Sequence, residues 1–78
     1  MYGELEKISD LEFIIKQAIK TKVNVGVFIE MPGFESPEII INPVENLEKK
    51  LEYYKNIYDE NLNHKHAEGI KIIGYAFC

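Results

Sequence analysis

The residues that most resemble a metal-binding site are the two histidines of His64-Lys65-His66. Asp59, Glu60 and Cys78 could supply further ligand atoms. A zinc site needs three or four convergent ligands, usually at repeated spacings, whereas only the two histidines are close together here. They lie in a polar segment after a predicted helix, where a cationic histidine stabilises the helix C-terminus. The sequence therefore predicts no metal site.

Nucleophilic catalysis would require a thiol or hydroxyl beside a base. Cys78 and His64 could meet in the fold, because nothing in the sequence fixes their separation. However, Cys78 has no evident electropositive setting that would favour its thiolate. The chain also offers no carboxylate pair, no Ser/His/Asp set and no glycine-rich phosphate loop. We predict a non-enzymatic protein with no catalytic residue and no cofactor. The alternative is a small-molecule or metal-binding accessory domain with its site near His64, His66 and Cys78.

Charge and composition narrow the classes of partner. The 78-residue chain has a formal net charge of −4, and all nine of its basic residues are lysine. Arginine is the preferred residue for phosphate and guanine contacts, so an acidic chain without it predicts no nucleic-acid binding. No apolar stretch approaches the roughly 20 residues that span a membrane, and the early charges are unlike those of a signal peptide. These features predict a cytoplasmic protein that does not bind membranes.

Two segments in the first half of the chain show clear periodicity. Ser9 and Glu12 form a capping-box signature, which predicts a helix that ends at about Lys20 or Thr21. Residues 23–30 then alternate between two faces and are rich in β-branched residues, as is typical of a strand. One face of this strand consists of Val23, Val25, Val27 and Ile29.

The middle of the chain reads as a strand, a sharp boundary and a helix. A turn containing Pro-Gly is followed by a strand over residues 38–41, so the first two strands are predicted to form an antiparallel hairpin. Asn42 is the expected helix N-cap, with Pro43 in the first helical position and Glu45 three residues past the cap. The helix is predicted to run to about Asn61 or Leu62.

The C-terminal segment, residues 70–77, is predicted to be a third strand. The sequence therefore predicts an α+β fold, a single αββαβ domain over residues 1–78 in which residues 1–8 are a candidate disordered N-terminal segment. Its three-stranded mixed sheet is expected to carry two helices packed mainly on one face. The third strand could lie beside the second or skip past it to the first. We favour the skip, because it places the strongest alternating strand in the centre.

One apolar sheet face is the candidate binding site. If both helices cover the valine face of the first strand, strict alternation leaves five large side chains on the other face. If the helices instead lie on opposite faces, these residues are all core. The exposed-face reading predicts a module that docks on a protein partner or forms a homodimer. The five residues are Phe28, Ile40, Ile73, Tyr75 and Phe77.

Four segments together resemble small uncharacterised proteins of phages and prophages in low-GC Gram-positive bacteria. They are Phe28-Ile29-Glu30-Met31-Pro32-Gly33, Pro37-Glu38-Ile39-Ile40-Ile41-Asn42-Pro43-Val44-Glu45-Asn46, Lys50-Leu51-Glu52-Tyr53-Tyr54 and Ile70-Lys71-Ile72-Ile73-Gly74-Tyr75. The resemblance covers about residues 23–78, and the helix-opening Asn-Pro and the Leu-Glu-Tyr-Tyr are its most specific parts. It implies no activity and no catalytic residues. It favours a small phage-encoded domain that binds a host or viral protein.

Overall fold

Four strands form one sheet in the computed structural model, which describes residues 2–78. The strands are β1 (Tyr2–Glu4), β2 (Val25–Glu30), β3 (Glu38–Asn42) and β4 (Lys71–Phe77). Their order is β1-β4-β2-β3, and all neighbouring pairs are antiparallel. The α+β class, the β2–β3 hairpin and the position of β4 beside β2 are confirmed. The expected mixed sheet of three strands is wrong, because β3 and β4 both run antiparallel to the strand between them and β1 adds a fourth.

The additional strand comes from the N-terminal segment, residues 1–8, which the sequence leaves as a candidate for disorder. Tyr2 pairs with Ala76 and Gly3 with Tyr75, which makes β1 the second edge of the sheet. The ring of Tyr75 lies over Gly3, where any β-carbon would collide with it. The element order is therefore βαββαβ rather than αββαβ. Met1 lies outside the described residues.

Two helices complete the fold, α1 (Ile8–Thr21) and α2 (Leu47–Ile57). The N-cap of α1 is Lys7, whose backbone N–H donates to Asp10 Oδ2 at 3.2 Å. The Ser9–Glu12 capping box is therefore wrong. Glu12 instead forms ion pairs with Lys55 at 3.2 Å and Lys16 at 3.4 Å, and these two contacts hold the pKa of its carboxyl below the usual value. Since Lys55 belongs to α2, the first pair joins the two helices.

Asn42 is not the N-cap of the second helix. It is the last residue of β3 and is only 2% exposed. Its side-chain Nδ2 lies 3.2 Å from the carbonyl oxygen of Val25, 3.3 Å from that of Ile40 and 3.1 Å from Tyr54 Oη. These contacts provide hydrogen-bond partners for the side-chain amide, so its burial leaves no polar group unpaired. This bonding ties the end of β3 to β2 and α2.

The chain between β3 and α2 forms a short 3-10 helix, Val44–Asn46. The N–H of Val44 donates to Asn24 Oδ1 at 3.0 Å. The side chain that accepts this N–H at the start of the 3-10 helix therefore comes from the segment before β2. At its other end α2 stops at Ile57, short of the predicted end. Tyr58 is extended and forms an isolated bridge with His64.

The core lies between the two helices and one face of the sheet. Val25, Val27 and Ile29 of β2 are buried as predicted, and Tyr54 and Tyr58 are 1% and 5% exposed. Both helices contribute to the same cluster of buried side chains, which confirms that they pack on one face. Their buried members are Leu11, Ile15, Ala18, Leu47 and Tyr54.

Replacing Gly74 by Ala should destabilise the fold by about 1–3 kcal/mol. A β-carbon there would come within 2.7 Å of the Gly3 carbonyl oxygen and 2.6 Å of Tyr2 Oη, so β1 would have to shift. Gly26→Ala is the matched control, because its nearest neighbour is the mobile end of Ile41, at 3.3 Å. The free energy of unfolding in urea measures both effects. Equal losses in the two variants would contradict the close approach of β1.

The stability of the fold should fall at high pH through Tyr54. Burial raises the pKa of Tyr54 to about 12, above its ordinary value of 10.0. The folded state thus favours the neutral phenol, and this stability is complete below about pH 10 and is lost as the pH rises toward 12. Between pH 9 and pH 11 the free energy of unfolding should therefore fall in both proteins. We expect the fall to be about 1–2 kcal/mol smaller in Tyr54→Phe than in the wild type. Urea unfolding at several pH values tests this, with the half-exposed Tyr53→Phe as control. Parallel pH profiles for all three proteins would contradict it.

Candidate protein-docking face

The five residues predicted to form one apolar face do not lie together. Ile40 and Tyr75 both lie opposite Val27, and Phe77 lies opposite Val25, so all three are on the helix-covered side and pack against the core. Phe28 and Ile73 are not among the side chains packed on the core. The grouping of Phe28, Ile40, Ile73, Tyr75 and Phe77 on one face is therefore corrected.

The pairing of β3 with β2 places Ile40 opposite Val27, and the register of β4 explains why Ile73 does not pack on the core with Tyr75 and Phe77. Phe28 lies opposite Gly74 but Ile29 lies opposite Ile72, so β4 has one extra residue at this point. A β-bulge of this kind reverses the alternation of side chains between the two halves of a strand. It places Ile72 on the core side together with Tyr75, although the two residues are three apart.

Large apolar side chains on the face away from the helices form what we call the open face: Tyr2, Phe28, Ile39 and Ile41. Phe28 lies opposite Ile39 in the β2–β3 ladder, and Ile41 lies opposite Gly26. Tyr2 is 51%, Ile39 53% and Ile41 52% exposed, and Phe28 is half-buried. Contiguous exposed apolar residues are typical of interaction sites.

Two glycines allow these side chains to lie flat on the sheet. The Tyr2 ring covers Gly74, and its centroid is 4.8 Å from that of Phe28 in an edge-to-face contact. The side chains of Ile39, Ile41 and Cys78 surround the position that a β-carbon of Gly26 would occupy, at 3.3–3.6 Å. The open face is thus a thin apolar layer over backbone.

Sequence reasoning found Phe28 of this face but missed Tyr2, Ile39 and Ile41. Three consecutive isoleucines in β3 give no alternation, so they cannot show which side faces the helices. Asn42 is buried on the same face as Ile40. In the sequence, however, a polar residue at the end of a strand suggests an exposed position. The three residues of β1 are too few to show any period.

The alternative site near His64, His66 and Cys78 is not assembled. The N–H of His64 donates to the carbonyl of Ile70 before β4 begins, whereas Cys78 follows its last residue. A strand of this length spans about 23 Å, so the thiol and His64 lie at opposite ends of β4. His64 Nδ1 accepts the N–H of His66 at 3.0 Å, and its ring packs edge-on against Tyr58. Within residues 2–78, no group of three or more His, Cys, Asp or Glu residues could hold a metal ion.

A small cleft of about 200 Å³ lies beside the connection between β2 and β3. It is open and lies below the roughly 300–1,000 Å³ of typical small-molecule pockets. Its lining combines two carboxylates with apolar loop residues, which gives no convergent set of catalytic groups. The lining residues are Glu30, Met31, Pro32, Phe34, Glu35, Ser36, Pro37 and Gly69.

Across the described part of the chain, no helix has the length and apolar character needed to cross a membrane. Comparisons with protein-family models, with curated proteins and with solved structures give no match to this chain.

The same charge should destabilise the fold by different amounts at two adjacent residues of β3. Ile41→Asp places a carboxylate in water on the open face, and we expect a loss of less than about 1 kcal/mol in stability. Ile40→Asp partly buries a carboxylate against the core and should cost at least about 2 kcal/mol more. Urea unfolding compares the two variants, which share the low β-propensity of Asp. Equal stability would show that the two faces of β3 are assigned incorrectly.

Proposed function

We propose that this protein is a non-enzymatic protein-binding module that associates through the open face of its sheet. The observation that carries the proposal is the exposure of Tyr2, Ile39 and Ile41, each about half exposed and all on one side of the molecule. We further propose, on the resemblance described above, that the module is encoded by a phage or prophage.

The energetics favour association through this face. Fully burying a large apolar side chain is worth about 1.5–3 kcal/mol. Covering the exposed half of each open-face residue would therefore contribute about 1 kcal/mol per side chain before the costs of association. The Tyr2–Phe28 contact limits the freedom of these two rings, so less side-chain entropy is lost when a partner covers them.

Site-specific photocrosslinking tests the proposal. A photoreactive amino acid replaces Ile41 in one variant and Phe13 in a second, matched variant. Phe13 is 62% exposed but belongs to α1, which lies on the other side of the sheet. Irradiation in a lysate of a low-GC Gram-positive host should give a discrete protein adduct from position 41 and none from position 13.

The same photoreactive residue at position 39, combined with Ile41→Asp, provides a second control. We expect this charge to reduce the adduct at least about tenfold, because it must be desolvated when a partner covers the face. Circular dichroism verifies that the variant remains folded. Equal adducts from positions 41 and 13, or no adduct from either, would contradict the proposal.

A further inference from the structure

We propose that β3 pairs edge to edge with β3 of a second copy of this chain, so that two four-stranded sheets join into one of eight strands. Within the described residues 2–78, β3 has β2 as its only sheet neighbour. Among residues 2–78, no backbone hydrogen bond reaches β3 from a loop or a helix. An unpaired edge is a template for another strand. This inference goes beyond the proposed function, because it concerns the backbone of one edge rather than the side chains of the open face.

The backbone groups that β3 directs outward belong to Ile39 and Ile41. At the end of the β2–β4 ladder, Asn24 and Cys78 exchange two backbone hydrogen bonds, of 2.9 and 3.4 Å. Since backbone direction alternates along an antiparallel strand, residues 25, 27 and 29 direct their N–H and C=O groups toward β3. Their partners 42, 40 and 38 direct theirs back toward β2. The groups of Ile39 and Ile41 therefore point away from the sheet.

Two prolines restrict how a second β3 can pair with the first. Pro37 and Pro43 flank β3, and neither has a backbone N–H. In a two-fold antiparallel pair centred on Ile40, Ile39 of each copy lies opposite Ile41 of the other. The four N–H groups of these residues then all bond to their four carbonyls. A register shift of two residues places Ile41 opposite Pro37 or Ile39 opposite Pro43, which leaves a carbonyl without a donor.

The side chains suit the same register. On the open-face side, Ile39 and Ile41 of the two copies form a cluster of four isoleucines. On the other side Ile40 meets its own copy, and Glu38 lies opposite Asn42, so no like charges face each other. Within its five residues β3 has no lysine, proline or bulge, the features that commonly protect an edge from pairing. The other edge, β1, has only three residues.

Pairing would also enlarge the open face. Four strands about 4.8 Å apart, with about five residues each, present roughly 350 Å². A standard protein–protein interface buries about 800 Å² on each partner. Two sheets joined at β3 would present a continuous surface of roughly 700 Å², with the isoleucine cluster at its centre.

Sedimentation equilibrium of the purified chain is the first test. The wild type should approach twice the 9.1 kDa mass of one chain at high concentration. Ile39→Pro removes an outward N–H without breaking the β2–β3 ladder, and it should raise the dimer Kd at least about tenfold. Ile39→Val keeps the N–H and the β-branch, so it should stay within about threefold of the wild type. A monomeric wild type, or a dimer that Ile39→Pro does not weaken, would overturn the inference.

Disulfide formation tests the register and does not depend on the proline variant. Ile39→Cys and Ile41→Cys are made separately in a Cys78→Ser background and then oxidised alone and as a mixture. In the proposed pair, positions 39 and 41 of different copies are about 5.5 Å apart between Cα atoms, which suits a disulfide. Like positions are about 8–9 Å apart, beyond its reach. Dimers should therefore form only in the mixture, and covalent dimers in either separate sample would overturn the inference.

The two proposals fail separately. A monomeric chain that still gives a foreign adduct from position 41 would overturn edge pairing and support docking through the open face. The opposite outcome is a β3-paired dimer in which position 41, like position 13, gives no adduct with a foreign protein. It would support edge pairing and overturn docking on a separate partner protein.

Discussion

Two helices of this size can cover one face of a four-stranded sheet but not both. With 14 and 11 residues, α1 and α2 are about 21 and 17 Å long, and side by side they are about 20 Å wide. The sheet has nearly the same width, about 19 Å for four strands. The apolar sides of both helices are used to bury Val25, Val27 and Ile29 with their neighbours. The apolar residues on the reverse side consequently remain in contact with water.

Polar contacts determine how the helices lie on that face. Buried Asn42 bonds to Tyr54 and to the β2 backbone, so α2 is held at the end of β3. Glu12 then joins α1 to α2 through Lys55, near the molecular surface. An exposed ion pair contributes little free energy, whereas leaving a buried amide unpaired is costly. The Asn42 contacts therefore dominate the orientation, and the Glu12 pair refines it.

The parts of the fold that sequence reasoning predicted are those with a strong period. Residues 25–30 alternate over a whole strand, and the stripe of α1 repeats at helical spacing, so both elements were recognised within a few residues. β1 was missed because three residues hold no period and its pairing partner is distant in sequence. The capping role of Asn42 was wrong because its local preference was overridden by tertiary bonds to β2 and α2.

The candidate site was harder to predict. It depends on which side of the sheet each side chain occupies, and not only on where the helices and strands are. A single extra residue in β4 exchanges the two faces of that strand, and no residue type marks it in the sequence. In β3 the three isoleucines are equally apolar, so only the pairing with β2 decides which of them is exposed. Phe28 was placed correctly because β2 alternates between β-branched residues and others.

The position of β4 in the sheet has a consequence for folding kinetics. It is the last element in the chain, yet it lies between β1 and β2 and pairs with both. Tyr2 pairs with Ala76, which lies 74 positions later in the chain. Closing so long a loop costs chain entropy before any hydrogen bond compensates for it, and such topologies fold slowly for their size. The β2–β3 hairpin and the helices involve shorter separations in sequence, whereas β1 has no partner until β4 is in place, so we expect the sheet to be completed late in folding.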